Sequence, residues 1–474
     1  MKDNKNLILR RIPSVDYLLE LSTVKGILLT TPRALVLRAI RQVLDELRGK
    51  IVRDRKGDEL PDLELNTVVD QIAKRVSILC QPSLGHVINA TGVIVHTNLG
   101  RSLLSRRVIS RLNSLAGCYS NLEYDLATGK RGSRYVHVED ILMELTGAGA
   151  AMVVNNNAAA VILALDTIAK DREVIVSRGQ LVEIGGSFRI PEVMKKSGAR
   201  IFEVGTTNKT TISDYESAVV PHTALLLKVH QSNFQIVGFT EEVSLEELVA
   251  LGKKYSLPVM EDLGSGCFID LSKYGLRGEP TVQDSVAKGA DIITFSGDKM
   301  LGGPQCGIIL GNKETISAIK ANQLNRAFRI DKLTLLALQE TLYMYRDEGK
   351  AMRQIPTLRM ICQSYQSVCR KAKKLLDLIG KTDQNNFLVD LCDGFSRIGG
   401  GAMPLEEIQS RLLCISPRKL SAPYIVEFLR SCSPPIIARL EKDHVLLDVR
   451  TIQKKEIKLV AEALRKISTG NSSG

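Results

Sequence analysis

A chain of 474 residues of which 44% are hydrophobic is too apolar to be disordered, and its length predicts two or three globular domains. The N-terminus lacks a signal-peptide pattern and no stretch approaches the roughly 18 apolar residues of a membrane span, which predicts a cytoplasmic protein with no membrane partner. The net charge of +12 comes from the two ends of the chain: residues 1–80 carry 15 basic and 11 acidic side chains, and residues 350–474 carry 21 and 12. Basic ends are typical of a protein that binds a polyanion, but they can also serve solubility alone.

The nine cysteines are scattered and form no Cys-x-x-Cys pair. No histidine stands beside them at the spacing of a zinc site. We therefore predict reduced, mostly buried thiols and no bound metal.

The first 80 residues have the pattern of a small helical domain. Thr31 and Pro32 suit the start of a helix, and apolar residues then recur every three or four positions from Val36 to Leu47. A second helix should follow a polar break and end near residue 80. We assign residues 1–80 to this domain.

From residue 81 onward the pattern changes to short apolar runs that end in polar loops and alternate with helical stretches. Alternation of this kind predicts an α/β fold with a mostly parallel sheet covered by helices. The loops at the carboxyl ends of parallel strands share one edge of the sheet, so they should form a common site. We assign residues 81–330 to this core. The predicted strands and their loops are "AAMVVNNN", "EVIVSRGQ", "RIFEVGTTN", "ALLLKVHQSNF", "LPVMEDLGSG" and "DIITFSGDK".

Residues 331–474 are predicted to form a helical linker and a small α+β domain. The stretches "DKLTLLALQETLYMYRDEG" and "RKAKKLLDLIG" have helical spacing, "PPIIARL" and "HVLLDV" read as short strands, and "KKEIKLVAEALRKI" reads as a last helix. The glycine-rich segment "RIGGGAMP" is predicted to be a loop.

Lys299 is the most informative single residue. It follows an apolar strand inside "TFSGDKMLG", where a lysine is a poor structural choice unless its amine is used. A desolvated amine has a lowered pKa, which suits covalent attachment to a carbonyl. Ser296, three residues earlier, could hold a phosphate, although a Ser-x-x-Lys pattern also arises by chance.

Two further rim segments match the chemistry of a pyridoxal phosphate enzyme. Asp262 ends another predicted strand, where a carboxylate could pair with a pyridine nitrogen, or could merely cap the next turn. Asn155, Asn156 and Asn157 stand between a strand and an Ala-rich helix and could form a phosphate cradle, or only a turn and a helix cap. These segments and Lys299 occur in the chain order that such an enzyme requires.

Arginines and one histidine complete the candidate site. Arg101 ends "HTNLGR", and Arg326 and Arg329 stand at i, i+3, which on a helix would put both guanidinium groups on one face for a phosphate-like substrate. Surface salt bridges are the alternative. His230 and Ser232, in "KVHQSNF", could contact the cofactor ring, or the histidine could be structural.

Several motifs together resemble the bacterial selenocysteine synthases, the L-seryl-tRNA(Sec) selenium transferases, over nearly the whole chain. They are "IPSVDYLLE", "INATGVIVHTNLGRSLLS", "GQLVEIGGSFRIPEVM", "KVHQSNFQIVGFT", "EDLGSG", "TFSGDKMLGGPQCGIILG", "RAFRIDKLTLLALQETL" and "PPIIARLEKDHVLLDVRT".

The resemblance implies a fold-type I pyridoxal phosphate enzyme of the aspartate aminotransferase superfamily, with Lys299 bound to the cofactor and Asp262 at the pyridine nitrogen. It implies that Arg101, Arg326 and Arg329 bind the phosphate of selenophosphate. It further implies that seryl-tRNA(Sec) is recognised by the N-terminal domain, is converted through aminoacrylyl-tRNA to selenocysteinyl-tRNA(Sec), and is bound by a homodecamer built from dimers.

Two rival interpretations remain at this point. A small-molecule pyridoxal phosphate lyase of the same fold would not need the basic N-terminal domain. An RNA-binding module with an inactive core would not need Lys299.

Overall fold

The computed structural model describes residues 8–53, 62–181, 183–185, 188–232, 234–276, 278–380 and 385–468. The chain divides into two compact units, which meet in the sequence between His86 and Val87. No helix in the described ranges is both long enough and apolar enough to span a bilayer.

The first unit is helical, as predicted. Ser14 caps the helix Val15–Glu20 by accepting a hydrogen bond from the backbone N–H of Tyr17 at 3.2 Å. The apolar stripe from Val36 to Leu47 is buried in the unit's own core, which confirms the predicted long helix. The described helices of this unit are Val15–Glu20, Ser22–Leu28, Arg33–Arg53 and Leu65–Cys80.

The second unit is built on a seven-stranded sheet. All six strands predicted for the core are present, and the strand near residue 309 is additional to them. In chain order the strands are Ala150–Val154 (β1), Glu173–Ser177 (β2), Arg200–Val204 (β3), Thr223–Val229 (β4), Val259–Gly264 (β5), Ile292–Ser296 (β6) and Gly307–Gly311 (β7).

The spatial order of this sheet is β1-β7-β6-β5-β4-β2-β3. Strand β7 is antiparallel to both of its neighbours, and the other pairs in the sheet are parallel. The six predicted strands therefore point the same way and end at one edge. We call this edge the carboxyl rim.

Both faces of the sheet are covered by apolar packing. Along β4, Leu225 and Leu227 belong to one apolar core, whereas Leu226 between them belongs to a second core on the opposite face. A strand buried on both sides has to be apolar throughout, which explains the continuous run "TALLLKV".

The helices of the second unit are Arg106–Leu115, Val136–Thr146, Asn157–Ile168, Ile190–Lys196, Ile212–Ser217, Leu245–Tyr255, Val282–Ala287, Lys313–Ala321, Lys332–Met344, Glu348–Gln354, Pro356–Ile361, Tyr365–Ile379, Ala422–Ser431 and Ile457–Ser468. Short 3₁₀ helices are Thr97–Leu99, Arg178–Gln180, Leu271–Tyr274 and Gln323–Arg326. Short strands outside the main sheets are Ile88–Asn89, Tyr124–Asp125, Lys130–Arg131, Glu183–Gly185, Phe188–Arg189 and Ile436–Ile437.

The C-terminal part contains a four-stranded antiparallel sheet in the order β8-β9-β11-β10. The predicted helices over it and the strand in "HVLLDV" are confirmed. The two longest strands were missed, and the prediction that this part holds only short strands was wrong. The strands are Phe387–Gly399 (β8), Ala402–Pro417 (β9), Arg439–Glu441 (β10) and His444–Asp448 (β11).

The prediction of a loop over "RIGGGAMP" was also wrong. Only Gly400 and Gly401, both at positive φ, lie between β8 and β9, and the residues on either side continue the strands. The end of β8 is held by a segment far away in sequence, because Ile94 and Val95 donate backbone hydrogen bonds to the carbonyls of Arg397 and Ile398 at 2.9 and 2.8 Å. Pairing of this kind leaves no local signal.

A buried polar cluster fixes the small sheet to the rest of the unit. Asp448, fully buried, accepts hydrogen bonds from Ser396 at 2.6 Å and Ser410 at 2.7 Å. Arg450 is 1% exposed, and its guanidinium donates to the backbone carbonyls of Met360, Gln363 and Gln409. A buried charge is tolerated because its donors are satisfied.

Replacing Arg450 by Leu should therefore destabilise the second unit strongly. The change removes the donor to one buried and two partly buried carbonyl groups and should lower the free energy of unfolding by about 3–5 kcal/mol. Urea denaturation followed by circular dichroism measures the loss, and the exposed Arg430→Leu is the matched control. A loss below about 1 kcal/mol would show that the cluster does not hold the fold together.

Candidate active site

The carboxyl rim gathers the predicted site residues from separate parts of the chain. Lys299 lies in the turn after β6, and Asp262 lies near the end of the neighbouring strand β5, where it pairs in register with Thr294. The parallel arrangement brings the two ends together, which explains why residues 37 positions apart meet here.

Lys299 is buried, with 8% of its surface exposed. Burial lowers the pKa of its amine and the Arg101 guanidinium lowers it further, while the carboxylates of Asp262, Asp298 and Glu279 oppose the shift. Among the described residues no hydrogen bond or ion pair holds this amine. The side chain is therefore an available nucleophile whose amine loses its proton more readily than that of a free lysine.

Asp262 is anchored through one of its two carboxylate oxygens. Oδ1 accepts hydrogen bonds from Asn157 Nδ2 at 2.8 Å, Thr294 Oγ1 at 3.0 Å and the backbone N–H of Gly264 at 3.3 Å. No donor in the described ranges reaches Oδ2. Burial raises the pKa of this carboxyl, against the effect of its donors and of Lys299, so a cation placed at Oδ2 would relieve an unfavourable desolvation.

The three asparagines have three different environments. Asn156 caps the helix Asn157–Ile168, because its side chain accepts from the backbone N–H of Ala159 at 2.9 Å. Asn157 orients Asp262, and its own Oδ1 is buried without a partner in the described part of the chain. Asn155 is exposed at the rim. The helix start, with its free N–H groups, remains suited to an anion.

Ser296 ends β6 and Ser232 follows β4, the two strands that flank β5 in the sheet. Both are buried, at 8% and 5% exposed. Gly264 has φ +67°, and a Cβ on it would stand 3.1 Å from Ser232 Oγ and 3.9 Å from Lys299 Nζ. Position 264, the last residue of β5, therefore has to be glycine, because a side chain there would fill the space between the lysine amine and the serine hydroxyl.

His230 is paired with a carboxylate that the sequence analysis missed. Glu279 has a side chain that is 2% exposed, and its Oε2 lies 3.5 Å from His230 Nε2. Its Oε1 accepts from Ser265, whose carbonyl accepts the backbone N–H of Met300 at 3.1 Å. Glu279 thus ties the histidine to the segment that carries the lysine.

The charge of His230 is set by this contact. Burial by itself lowers the pKa of His230, but Glu279, helped by Glu261 and opposed by Lys228, outweighs it, so the net pKa lies above the ordinary value of 6.5. Glu279 is the last residue of "LRGE", which is no recognisable motif, and only the fold reveals its role.

Asp298 is a second residue that the sequence analysis missed. Its Oδ2 accepts from Arg101 at 2.9 Å, and its Oδ1 is buried without a partner among the described residues. Ser102, next to Arg101, donates to the carbonyl of Lys299 at 2.6 Å. These side chains border a cavity of about 440 Å³ between the loop at 97–104 and the turn at 298–305.

Arg326 and Arg329 do not share a helix face, so that prediction was wrong. Arg326 ends the 3₁₀ helix Gln323–Arg326, whereas Arg329 forms a β-bridge with Val154 at the end of β1. Pairing with the sheet takes the chain out of the helix before Arg329. Both arginines nevertheless line one cavity of about 320 Å³, which Arg101 does not line.

This second cavity is rich in cations. Arg131, Arg134 and Lys320 line it together with Arg326 and Arg329. Its acidic lining residue, Glu123, is contacted by three arginines, at 3.1 Å from Arg131, at 3.4 Å from Arg329 and at a shorter distance from Arg134. One carboxylate cannot neutralise this many cations, so the cavity favours an anion.

The residues around Lys299 fit pyridoxal phosphate. The neutral-leaning amine can bind its aldehyde, the free Oδ2 of Asp262 can accept from its pyridinium nitrogen, and the hydroxyl of Ser296 with the helix start at Asn157 can hold its phosphate. The described residues contain no cluster of His, Cys, Asp and Glu that could hold a metal ion.

A mostly parallel sheet with a lysine and a carboxylate at its carboxyl rim is the fold of the fold-type I pyridoxal phosphate enzymes. The solved structure of D-glucosaminate-6-phosphate ammonia-lyase matches 82% of this chain and 97% of its own chain, with a TM-score of 0.56 and 22% identity, a likeness that concerns the fold alone.

Sequence comparison identifies the family. The family model for L-seryl-tRNA selenium transferase matches residues 87–453, and the model for the selenocysteine synthase N-terminal region matches residues 9–48. The L-seryl-tRNA(Sec) selenium transferase of Clostridium botulinum (strain 657 / Type Ba4) is 50% identical over 98% of this chain and 99% of its own length. That of Solidesulfovibrio magneticus is 52% identical over 96% of this chain and 97% of its own. The chain belongs to the L-seryl-tRNA selenium transferase family.

Replacing Glu279 by Gln should lower the pKa of His230 below 6.5, because burial persists while the carboxylate is lost. NMR titration of the histidine side chains in cofactor-free protein measures the shift, with His230→Gln to assign the signal. The exposed Glu314→Gln is the matched control and should leave the titration unchanged, because no ion pair in the described part of the chain involves Glu314.

The same pair predicts how stability depends on pH. A histidine whose folded pKa is raised stabilises the fold below its unfolded pKa, and this contribution is lost as the pH rises through the folded pKa. The difference in free energy of unfolding between wild type and Glu279→Gln should therefore narrow from pH 6 to pH 8. An unchanged His230 titration in the variant would mean that the pair is only a packing contact.

Proposed function

We propose that this chain converts seryl-tRNA(Sec) to selenocysteinyl-tRNA(Sec) by pyridoxal phosphate-dependent elimination of the serine hydroxyl, followed by addition of selenium from selenophosphate. The observation that carries the proposal is the buried Lys299 amine, which has a lowered pKa and lies beside an Asp262 carboxylate that keeps one oxygen open. Membership of the family supports the choice of substrate.

Pyridoxal phosphate, when bound, supplies an electron sink for negative charge at the substrate Cα. Lys299 attaches the cofactor and afterwards removes the proton from Cα as a general base, because its amine is neutral at a higher proton activity than a free lysine. Asp262 keeps the ring nitrogen protonated. His230, held by Glu279, directly follows strand β4, which neighbours β5, and would contact the ring of the cofactor when it is bound.

The donor phosphate binds in the cationic cavity. Arg326 and Arg329 supply guanidinium groups that match a phosphate, and the cavity carries an excess of positive charge. Arg101 lines a different cavity, so we propose that it reaches the same donor from a second copy of the chain. Two copies would then complete each site, which agrees with the proposed homodecamer of dimers.

The helical unit at the N-terminus recognises the tRNA. Its long helix carries Arg38 and Arg41 off the buried apolar stripe, where they are free to contact RNA phosphates. A small-molecule lyase would have no use for this unit, and the relatives that are matched over their full length share it.

Lys299→Ala should abolish the absorption band of the bound cofactor and lower turnover by at least about a hundredfold, because the variant loses both the attachment and the base. Binding of seryl-tRNA should persist. The exposed Lys288→Ala is the matched control. Selenocysteinyl-tRNA formation at the wild-type rate would refute the assignment of Lys299.

Asp262→Asn should retain the cofactor band but slow elimination, because an amide cannot keep the ring nitrogen protonated. Single-turnover measurement of hydroxyl loss from seryl-tRNA gives the rate. Equal rates in the variant and the wild type would remove Asp262 from this role.

Arg326→Ala and Arg329→Ala should each remove a charge-assisted interaction of roughly 1.5–3 kcal/mol with the donor. Lysine should rescue them poorly, because a point charge lacks the bidentate fork. The measurement separates the two half-reactions by scoring aminoacrylyl-tRNA after borohydride trapping and selenocysteinyl-tRNA by selenium incorporation.

We expect the arginine variants to keep elimination and to lose selenium addition. The exposed Arg353→Ala is a matched control that should keep both. Joint loss of both half-reactions, with cofactor content unchanged, would assign the arginines to tRNA binding instead.

A further inference from the structure

Two neighbouring helices of the C-terminal part turn a common side to solvent. The helices Tyr365–Ile379 and Ile457–Ser468 pack their apolar residues into one core with strands β9 and β11. Lys371, in the first helix, donates to the carbonyl of Ile452 just before the second, and Asn386, after the first helix, donates to the carbonyl of Ser468 at the end of the second. The two helices therefore run side by side in the same direction.

The solvent side of this pair is strongly basic. Within residues 365–379 and 454–468, the exposed acidic side chains are Asp377 and Glu462. We call the exposed basic side chains of these two segments the basic face. Its members are Arg370, Lys373, Lys374, Lys454, Lys455, Lys458, Arg465 and Lys466.

Most of this charge is not neutralised within the chain. In the part of the chain that the structure describes, no ion pair involves Arg370, Lys373, Lys374, Lys454, Lys455 or Lys458. By contrast, basic side chains of the large core are commonly paired, as Lys254 is with Glu216 and Lys320 with Glu139. An unpaired cluster of like charges destabilises the isolated chain, so an external anion would relieve repulsion.

We infer that the basic face is a second RNA-binding surface, which holds the phosphate backbone of the same tRNA whose aminoacyl end enters the catalytic rim. This inference rests on the proposed function. Lysine dominates the surface, and lysine contacts phosphates as a point charge without reading bases.

The composition of the surface favours RNA backbone over other partners. The two solvent sides carry no exposed aromatic side chain for stacking on bases, which argues against sequence reading. Their exposed large apolar residue is Leu459, at 38%, which is too little to anchor the face in a lipid bilayer. The basic face is therefore suited to backbone phosphates rather than to bases or lipid tails.

The test is a salt titration of seryl-tRNA(Sec) binding by the full chain loaded with cofactor. Lys374→Gln combined with Lys458→Gln should weaken binding several-fold and reduce the slope of log K against log salt by about two, one for each lost phosphate contact. Lys253→Gln combined with Lys313→Gln removes the same charge from exposed lysines of the core and should leave the slope unchanged.

The outcomes separate this inference from the proposed function. If the wild type converts seryl-tRNA while both double variants show the wild-type slope and affinity, the basic face does not bind RNA and the proposed function stands. If both variants lose slope equally, the effect is net charge alone and the inference fails. Heparin and deacylated tRNA(Sec) serve as competitors at matched concentrations of anionic groups. Equal competition by the two would show general polyanion binding and would also overturn the inference.

Conversion assays give an independent readout. The basic-face variant should show a raised KM for seryl-tRNA with unchanged kcat, because the chemical steps take place at Lys299, whose surroundings it does not alter. A change in kcat with unchanged KM would contradict a role in binding.

Discussion

The active site depends on one buried lysine amine that has no direct partner among the described residues. A charged amine at that position loses its hydration, so burial lowers its pKa and makes the neutral, reactive form easier to reach. Three carboxylates and one guanidinium surround Lys299 and act in opposite directions on its pKa. Burial and the guanidinium outweigh the carboxylates, so the net effect of the rim is to lower the pKa of the amine and make it a better nucleophile.

Local sequence was sufficient to predict much of this rim. Lys299 and Asp262 could be found because Lys299 follows an apolar strand and Asp262 lies near the end of another, and polar residues at the carboxyl ends of parallel strands meet at one edge. Continuous apolar runs such as "TALLLKV" likewise predict doubly covered strands. The part of the site that depends on a repeating local pattern was therefore readable from sequence.

The remainder depends on pairing between distant segments. Arg101 and Asp298 are separated by 197 positions, and Glu279 lies in an unpatterned stretch, so neither contact leaves a trace in spacing or composition. The spacing of Arg326 and Arg329 was misleading for the same reason, because a β-bridge to Val154 outweighed local helical preference. In these cases contacts between distant segments, and not local helix propensity, determine where the side chains lie.

The tip of the hairpin formed by β8 and β9 has a mechanical consequence. It is joined by two backbone hydrogen bonds to residues 94 and 95, and the chain runs from there directly into the loop that carries Arg101. The small sheet is therefore connected, through these hydrogen bonds and the chain that follows them, to the guanidinium of Arg101 beside Asp298. A rotation of that sheet would strain these bonds, and through the chain between residues 95 and 101 the strain would act on the guanidinium that contacts Asp298.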